Sequence, residues 1–285
     1  MAAPYVWNLQ PEVFSFSPLP RWYSLLFASG IVGGYAILRK IFIREGRPLE
    51  LLDSLLMYGV VGMMVGMRLG HVMFYQPDYY IDHLIEVPMI WKGGYASHGG
   101  FLGVIIALLL FVRKKPDMTF FWLADRVSIT CLFAAGFIRL GNFANSEIIG
   151  RPTGDGVPWA VIFSQVDQIP RHPAQLYEAL GYFVLCALSL LLYYRTRLLE
   201  QAGRLVGLVI ATGFVWRFFC EFFKEDQVPF EAGLTLNMGQ ILSIPFIIFA
   251  TALALNVQGK WLRPAAAVES PPRGAPHRKR QRQKA

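Results

Sequence analysis

Charge is what this chain has least of. Only 16% of its 285 residues are Asp, Glu, Lys or Arg, where a soluble domain carries about 25%. Together with 54% hydrophobic residues and a mean hydropathy of +0.40, that shortage excludes an ordinary water-soluble enzyme and points to an integral membrane protein. Cysteine is scarce too. Cys131, Cys186 and Cys220 all fall in apolar stretches with no CxxC or zinc-ligand spacing, which reads as inert core thiols. There is no P-loop, no HExxH and no clustered cysteine, so no nucleotide, metal or redox cofactor is implied. No GxSxG nucleophile motif argues for a hydrolase. No repeat recurs at a fixed period. The first residues lack a basic start, a short apolar segment and a small-residue cleavage site, so a cleaved signal peptide is not expected.

Long apolar runs are what the chain does have. A hydrocarbon core of ~30 Å needs ~20 mostly apolar helical residues. Seven stretches qualify, near Trp22–Phe42, Leu52–Tyr75, Tyr95–Val112, Phe120–Leu140, Ala174–Tyr194, Leu205–Phe223 and Asn237–Leu255. They do not alternate, and lipid accepts only helices or closed barrels. The expected fold class is therefore an all-α polytopic membrane protein with about seven transmembrane helices. Of 27 Lys and Arg, eighteen follow the first, third, fifth and seventh runs, and five lie in the opposite connections. Basic residues stay inside, which puts the N-terminus outside and the C-terminus in the cytoplasm. Residues 1–259 form the transmembrane domain, with outer-side segments around 76–94 and 141–173. Residues 260–285, ending "PPRGAPHRKRQRQKA", read as a basic disordered tail, drawn to anionic inner-leaflet lipids. No folded nucleic-acid reader accompanies its charge, so nucleic acid is not an expected partner.

Ionisable groups inside membrane runs are costly, which makes each a functional candidate. On this topology Arg68 and His71, Arg139 and Asn142, and Arg217 and Glu221 all reach the outer side. So do Tyr23, the "GGYASHGG" segment, and Gln175 and Glu178 after "RHP". Each has a plainer reading. Arg217 and Glu221, four apart, could pair with each other. Asp125 and Arg126 read as a snorkelling pair near the cytoplasmic boundary. Tyr23 could be an interfacial anchor, and Gln175 and Glu178 could complete a helix start after Pro173. Convergence on one level weakens those readings jointly. "HGG" at 98–100 opens a helix, where free N–H groups favour anions and Gly99 and Gly100 permit close approach. With two arginines that can fork onto phosphate, a phospholipid headgroup is the expected ligand. A transporter or flippase would use similar arginines, but inverted repeats and midplane binding are its marks.

The sequence "IRLGNFANSEIIG" at 138–150 resembles the signature of the prolipoprotein diacylglyceryl transferase family, G-R-x-G-N-F-[aliphatic]-N-x-E-x-x-G. Arg139, Gly141, Asn142, Phe143, Asn145, Glu147 and Gly150 match, while Ile138 and Ala144 depart from it. "HGGFLG" at 98–103, "RHPAQLYEA" at 171–179, "RFFCEFF" at 217–223 and "MGQ" at 238–240 are similar to further family blocks. The resemblance spans nearly the whole chain, the tail excepted. It implies a multi-pass enzyme of the bacterial cytoplasmic membrane whose site faces the periplasm. Its substrates would be phosphatidylglycerol and the lipobox cysteine of prolipoprotein signal peptides, and its products a thioether and glycerol phosphate. It further implies essential roles for Arg139 and Arg217 and implicates His98 and Tyr23. A cysteine thiol with pKa ~8.5 is helped by a base, and His98 is the candidate. Gly99, Gly100, Asn142, Glu147, Gly150 and Glu221 are the expected companions in substrate binding.

Overall fold

Among the described residues of the computed structural model, seven of the eight α-helices coincide with the seven apolar runs. The structure describes residues 4–14, 16–115, 117–154, 157–196, 200–226 and 234–255; the expected basic tail at 260–285 lies outside the described residues. The helices are α1 (Trp22–Arg44), α2 (Leu49–Phe74), α3 (Pro77–Asp82), α4 (Ser97–Arg113), α5 (Phe120–Ala144), α6 (Ala174–Arg195), α7 (Arg204–Cys220) and α8 (Met238–Ala254). Five are long and apolar enough to cross a membrane: α1, α2, α5, α6, and α7 with its 3-10 extension to Phe223. Helices α4 and α8 are apolar but shorter. Side chains that water would drive inward point outward instead, including Met57, Leu180 and Ile248. Cys131 is exposed as well, while Cys186 and Cys220 are buried. This corrects the expectation of three core thiols: lipid is as apolar as a core, so composition does not separate the two faces.

Two devices position the bundle. Helices α2 and α4 meet along a seam of small residues, Gly62, Gly66 and Gly70 against Gly99 and Gly103. A methyl group on Gly66 would come within 2.8 Å of the Gly103 Cα. Backbones this close give van der Waals contact where no hydrophobic force drives helices together. The second device lies at the end holding the α1–α2, α4–α5 and α6–α7 connections. Ile41, Phe42, Leu52, Phe111, Leu123 and Leu205 are nearly fully buried there. The Asp125 carboxylate accepts from the backbone N–H groups of Gly203 and Val206, both at 2.8 Å, closing the start of α7. Arg126 donates to Glu45 at 3.0 Å and to the Trp122 carbonyl at 2.7 Å. Asp125 and Arg126 are thus not a pair, contrary to expectation, because adjacent residues on a helix do not face each other.

The expectation of an all-α chain is also corrected. Strands β1 (Tyr5–Trp7), β4 (Val161–Phe163) and β5 (Pro170–Arg171) form one sheet, β1 parallel and β5 antiparallel to β4. Strands β2 (Glu12–Phe14) and β3 (Ser17–Arg21) form an antiparallel hairpin. Segments outside the helices must still pair their backbone groups. The larger sheet is tied to the end of α5 through Trp7, whose ring lies 4.5 Å from that of Phe143.

Candidate active site

Helix α5 ends in a turn whose geometry is unusual. Ser146 and Ile148, on either side of Glu147, have φ of 55° and 53°. For a β-branched residue that conformation is an outlier, and such strain gathers at functional sites. The turn is held by the Glu147 N–H on the Asn142 carbonyl at 2.8 Å and by the Gln175 amide on the Glu147 carbonyl at 2.7 Å. It leaves the Glu147 side chain exposed, accepting from Asn142 and Asn145 at 3.1 Å each. Asn142 in turn accepts from Arg139 Nη1 at 3.1 Å.

Behind the turn runs a chain of ion pairs. Arg139 Nε lies 2.9 Å from Glu178 Oε2, and Lys224 Nζ lies 3.0 Å from the same oxygen. Lys224 Nζ also lies 2.7 Å from Glu221 Oε1, which Arg217 Nη2 approaches to 3.2 Å. Glu178, Glu221 and Lys224 are buried; the Arg139 side chain is 14% exposed and that of Arg217 32%. The cluster is therefore closed at its carboxylates and lysine, with both arginine side chains partly exposed.

Neighbouring backbone fits around this chain. Gly150 bridges Lys224 in antiparallel fashion, and a Cβ on Gly150 would come within 2.8 Å of the Phe223 carbonyl oxygen. The Gly150 carbonyl accepts from Arg171 Nη1 at 3.1 Å. Arg171 also binds Asp167 and holds that carboxyl below the usual carboxylate range. Asn237 and Gln240 form a capping box at the start of α8. Asn237 donates to Glu221 Oε2 at 3.2 Å, and a Cβ on Gly239 would collide with that carboxylate. An apolar groove of about 310 Å³, lined by Val215, Phe218, Phe219, Ile244, Ile247 and Ile248, runs between α7 and α8.

The remaining expected residues fall into two groups. Tyr23 joins the cluster: its ring packs against Gly141, where a Cβ would approach within 2.8 Å, and it lies within electrostatic reach of Glu147 and Arg139. His98 is exposed at the start of α4, its ring 5.5 Å from Phe74 and 5.9 Å from Tyr75. It has no hydrogen bond to the arginine cluster among the described residues. Gly99 packs on the α2 backbone, Gly100 packs against Met67, and the Gly100 N–H is taken by the Ala96 carbonyl. Arg68 is spent on structure, donating to the carbonyls of Val87, Glu86 and Gly93 at 2.6–2.9 Å.

Comparison with known proteins decides the family. The description "Prolipoprotein diacylglyceryl transferase" matches residues 11–256. The chain belongs to the prolipoprotein diacylglyceryl transferase family. A phosphatidylglycerol–prolipoprotein diacylglyceryl transferase of Tolumonas auensis is 47% identical over 250 residues, covering 87% of this chain and 96% of the relative. One from Chloroherpeton thalassium is 42% identical, covering 87% and 92%, and one from Bacteroides fragilis 42%, covering 85% and 91%. Glu178, one of the converging candidates in the sequence, is given no role by the sequence alone, and Lys224 reads there as one more outer-side charge. Each takes its place at the centre of this family member's cluster through a partner far away in the chain, and sequence spacing reports only near neighbours.

Proposed function

We propose that this chain transfers the diacylglyceryl group of phosphatidylglycerol to the lipobox cysteine thiol of a prolipoprotein. A C–S bond forms as the C–O bond to phosphate breaks, and glycerol phosphate leaves. The observation that carries the reading is the pair of arginines, each anchored by a buried carboxylate and partly exposed. Arg139 and Arg217 neutralise the phosphodiester and stabilise the charge gained by the leaving phosphate. Tyr23, Asn142, Glu147 and Glu221 set the arginines and the headgroup glycerol in place. Gln175 Oε1 and Ser146 Oγ, buried without a hydrogen-bond partner among the described residues, add polar groups beside that turn. Gly99 and Gly100 seat the start of α4 against α2, and so fix where His98 stands, and Gly150 keeps Lys224 in register. His98 takes the thiol proton. Acyl chains have an apolar path in the groove beside Phe218.

In this reading seven helices span the bacterial cytoplasmic membrane. The N-terminus and site face the periplasm and the C-terminus the cytoplasm. Support comes from charge: Arg39, Lys40, Arg44, Arg47 and Arg113–Lys115 cluster at the end opposite the site, as the positive-inside rule requires.

The test uses purified protein in detergent with phosphatidylglycerol and a lipobox peptide. The peptide should gain the mass of one diacylglyceryl group, and a peptide with serine for the cysteine should gain none. Lipid translocation without any peptide mass change would favour a flippase instead. Separately, a cysteine at Asp78 should react with an impermeant reagent from outside and one at Lys114 should not; the reverse would overturn the orientation.

A further inference from the structure

Lys224 has no part in the reaction as written, yet its side chain is only 2% exposed. A buried ammonium costs several kcal/mol unless it is paired. Its two partners are the carboxylates that hold the arginines, and it shares with them the same two oxygens, Glu178 Oε2 and Glu221 Oε1. The other two oxygens are occupied as well. Glu178 Oε1 accepts from the Tyr182 hydroxyl at 3.3 Å, and Glu221 Oε2 accepts from Asn237 at 3.2 Å. Neither carboxylate is therefore free to close both oxygens on a guanidinium fork, the strong bidentate arrangement such pairs otherwise adopt. Glu178 contacts Arg139 through Nε, and Glu221 contacts Arg217 through Nη2, each by one oxygen. A guanidinium has five N–H donors; Arg139 engages Glu178 through Nε and Asn142 through Nη1, and its further donors are left for another anion. The lysine is itself fixed: its backbone bridges Gly150, the Glu225 N–H donates to the Ile149 carbonyl at 3.2 Å, and the Arg151 N–H donates to the Phe223 carbonyl at 2.8 Å.

We propose that Lys224 is a positioning residue that divides Glu178 and Glu221 between itself and the two arginines, so that each carboxylate holds its guanidinium by one contact and leaves it coupled and able to bind the anionic headgroup. The inference rests on the headgroup reading above. Without the ammonium, each carboxylate swings onto its own arginine and takes up donors that the lipid needs.

The experiment measures KM for phosphatidylglycerol and kcat with the lipobox peptide, alongside thermal stability in detergent. Lys224→Met should raise KM about tenfold or more, the low end of what losing a charged hydrogen-bond partner costs, while Lys224→Arg stays near native. In the native background the combined loss in Arg139→Lys/Arg217→Lys should differ from the product of the single losses by about threefold or more, as for residues in one network. With Lys224→Met present, the losses should simply multiply. If Lys224→Met does not fold, Lys224→Gln, which keeps hydrogen bonding without charge, carries the same cycle. A folded Met or Gln variant with native KM and kcat overturns the proposal, as do arginine losses that multiply in the native background. A native protein that transfers nothing sinks the functional reading itself, and is told apart from a failure of Lys224 alone.

Discussion

At opposite ends of the helix bundle sit two polar clusters built from the same residue types and finished differently. At the end holding the α1–α2 connection, both Asp125 oxygens are spent on backbone N–H groups of α7. Arg126 divides its donors between Glu45 and Trp122 and stacks 4.0 Å from the Trp122 ring, and the Tyr193 hydroxyl completes Glu45 at 2.8 Å. At the other end the carboxylates are held by ion pairs, the two arginine side chains are partly exposed, and a strained turn lies beside them. Burial and ion pairing alone therefore do not mark a working site. What distinguishes it is partly exposed arginines, at 14% and 32% against 6% for Arg126, held by a carboxylate frame.

The difference can be tested from both ends. The largest effect is expected at the open cluster: Arg139→Lys and Arg217→Lys, which keep charge but lose the planar fork, should lower turnover by about 10²–10³ with little change in thermal midpoint. Near-native turnover in both would make this cluster structural, like its counterpart. His98→Gln should lower single-turnover rate by about 10² and flatten its rise with pH, as loss of a general base does. An unchanged profile would remove His98 from the chemistry and leave the arginines in place. Asp125→Asn should show the opposite pattern, losing about 1–3 kcal/mol of stability because a buried backbone N–H loses its acceptor, while kcat per folded molecule holds. A collapse of kcat in a stable Asp125→Asn protein would break the comparison. The smallest effect is expected at Asp167, whose carboxyl is depressed by Arg171. Because that pair is partly exposed, its worth is about 0.2–1 kcal/mol. The stabilisation is present above the ordinary carboxylate range and fades as pH falls through the lowered value. Asp167→Asn should therefore lower the thermal midpoint slightly near neutrality and not in strong acid.

How much of this was legible in the sequence depends on the range of each interaction. Arg217 and Glu221 are four residues apart, and their ion pair follows from helix geometry. Arg139, Asn142 and Glu147 sit in one motif, and the structure joins them by hydrogen bonds. The helices were plain because spanning runs are long and unbroken. The strands were not: at two to five residues they are too short to show an alternating pattern. Gly99 invited a ligand-binding reading because a glycine at a helix start permits close approach, but the structure shows the α2 backbone making that approach. Lys224 was illegible because its pairing with nearby Glu221 looks like any surface i,i+3 pair, and nothing local announces the second carboxylate, Glu178, that buries it.

The left-handed Ile148 has a consequence beyond the chemistry of the site. Holding a β-branched residue at φ 53° costs about 1–3 kcal/mol, and glycine or asparagine would relieve it. A selection for heat resistance alone, blind to activity, should therefore drift toward those residues at position 148. If the strain is what presents Glu147, each such survivor would gain thermal tolerance and lose catalytic competence together. A pool of variants sorted only by survival on heating would thus chart, through what it discards, which of the turn's tensions the enzyme keeps for use.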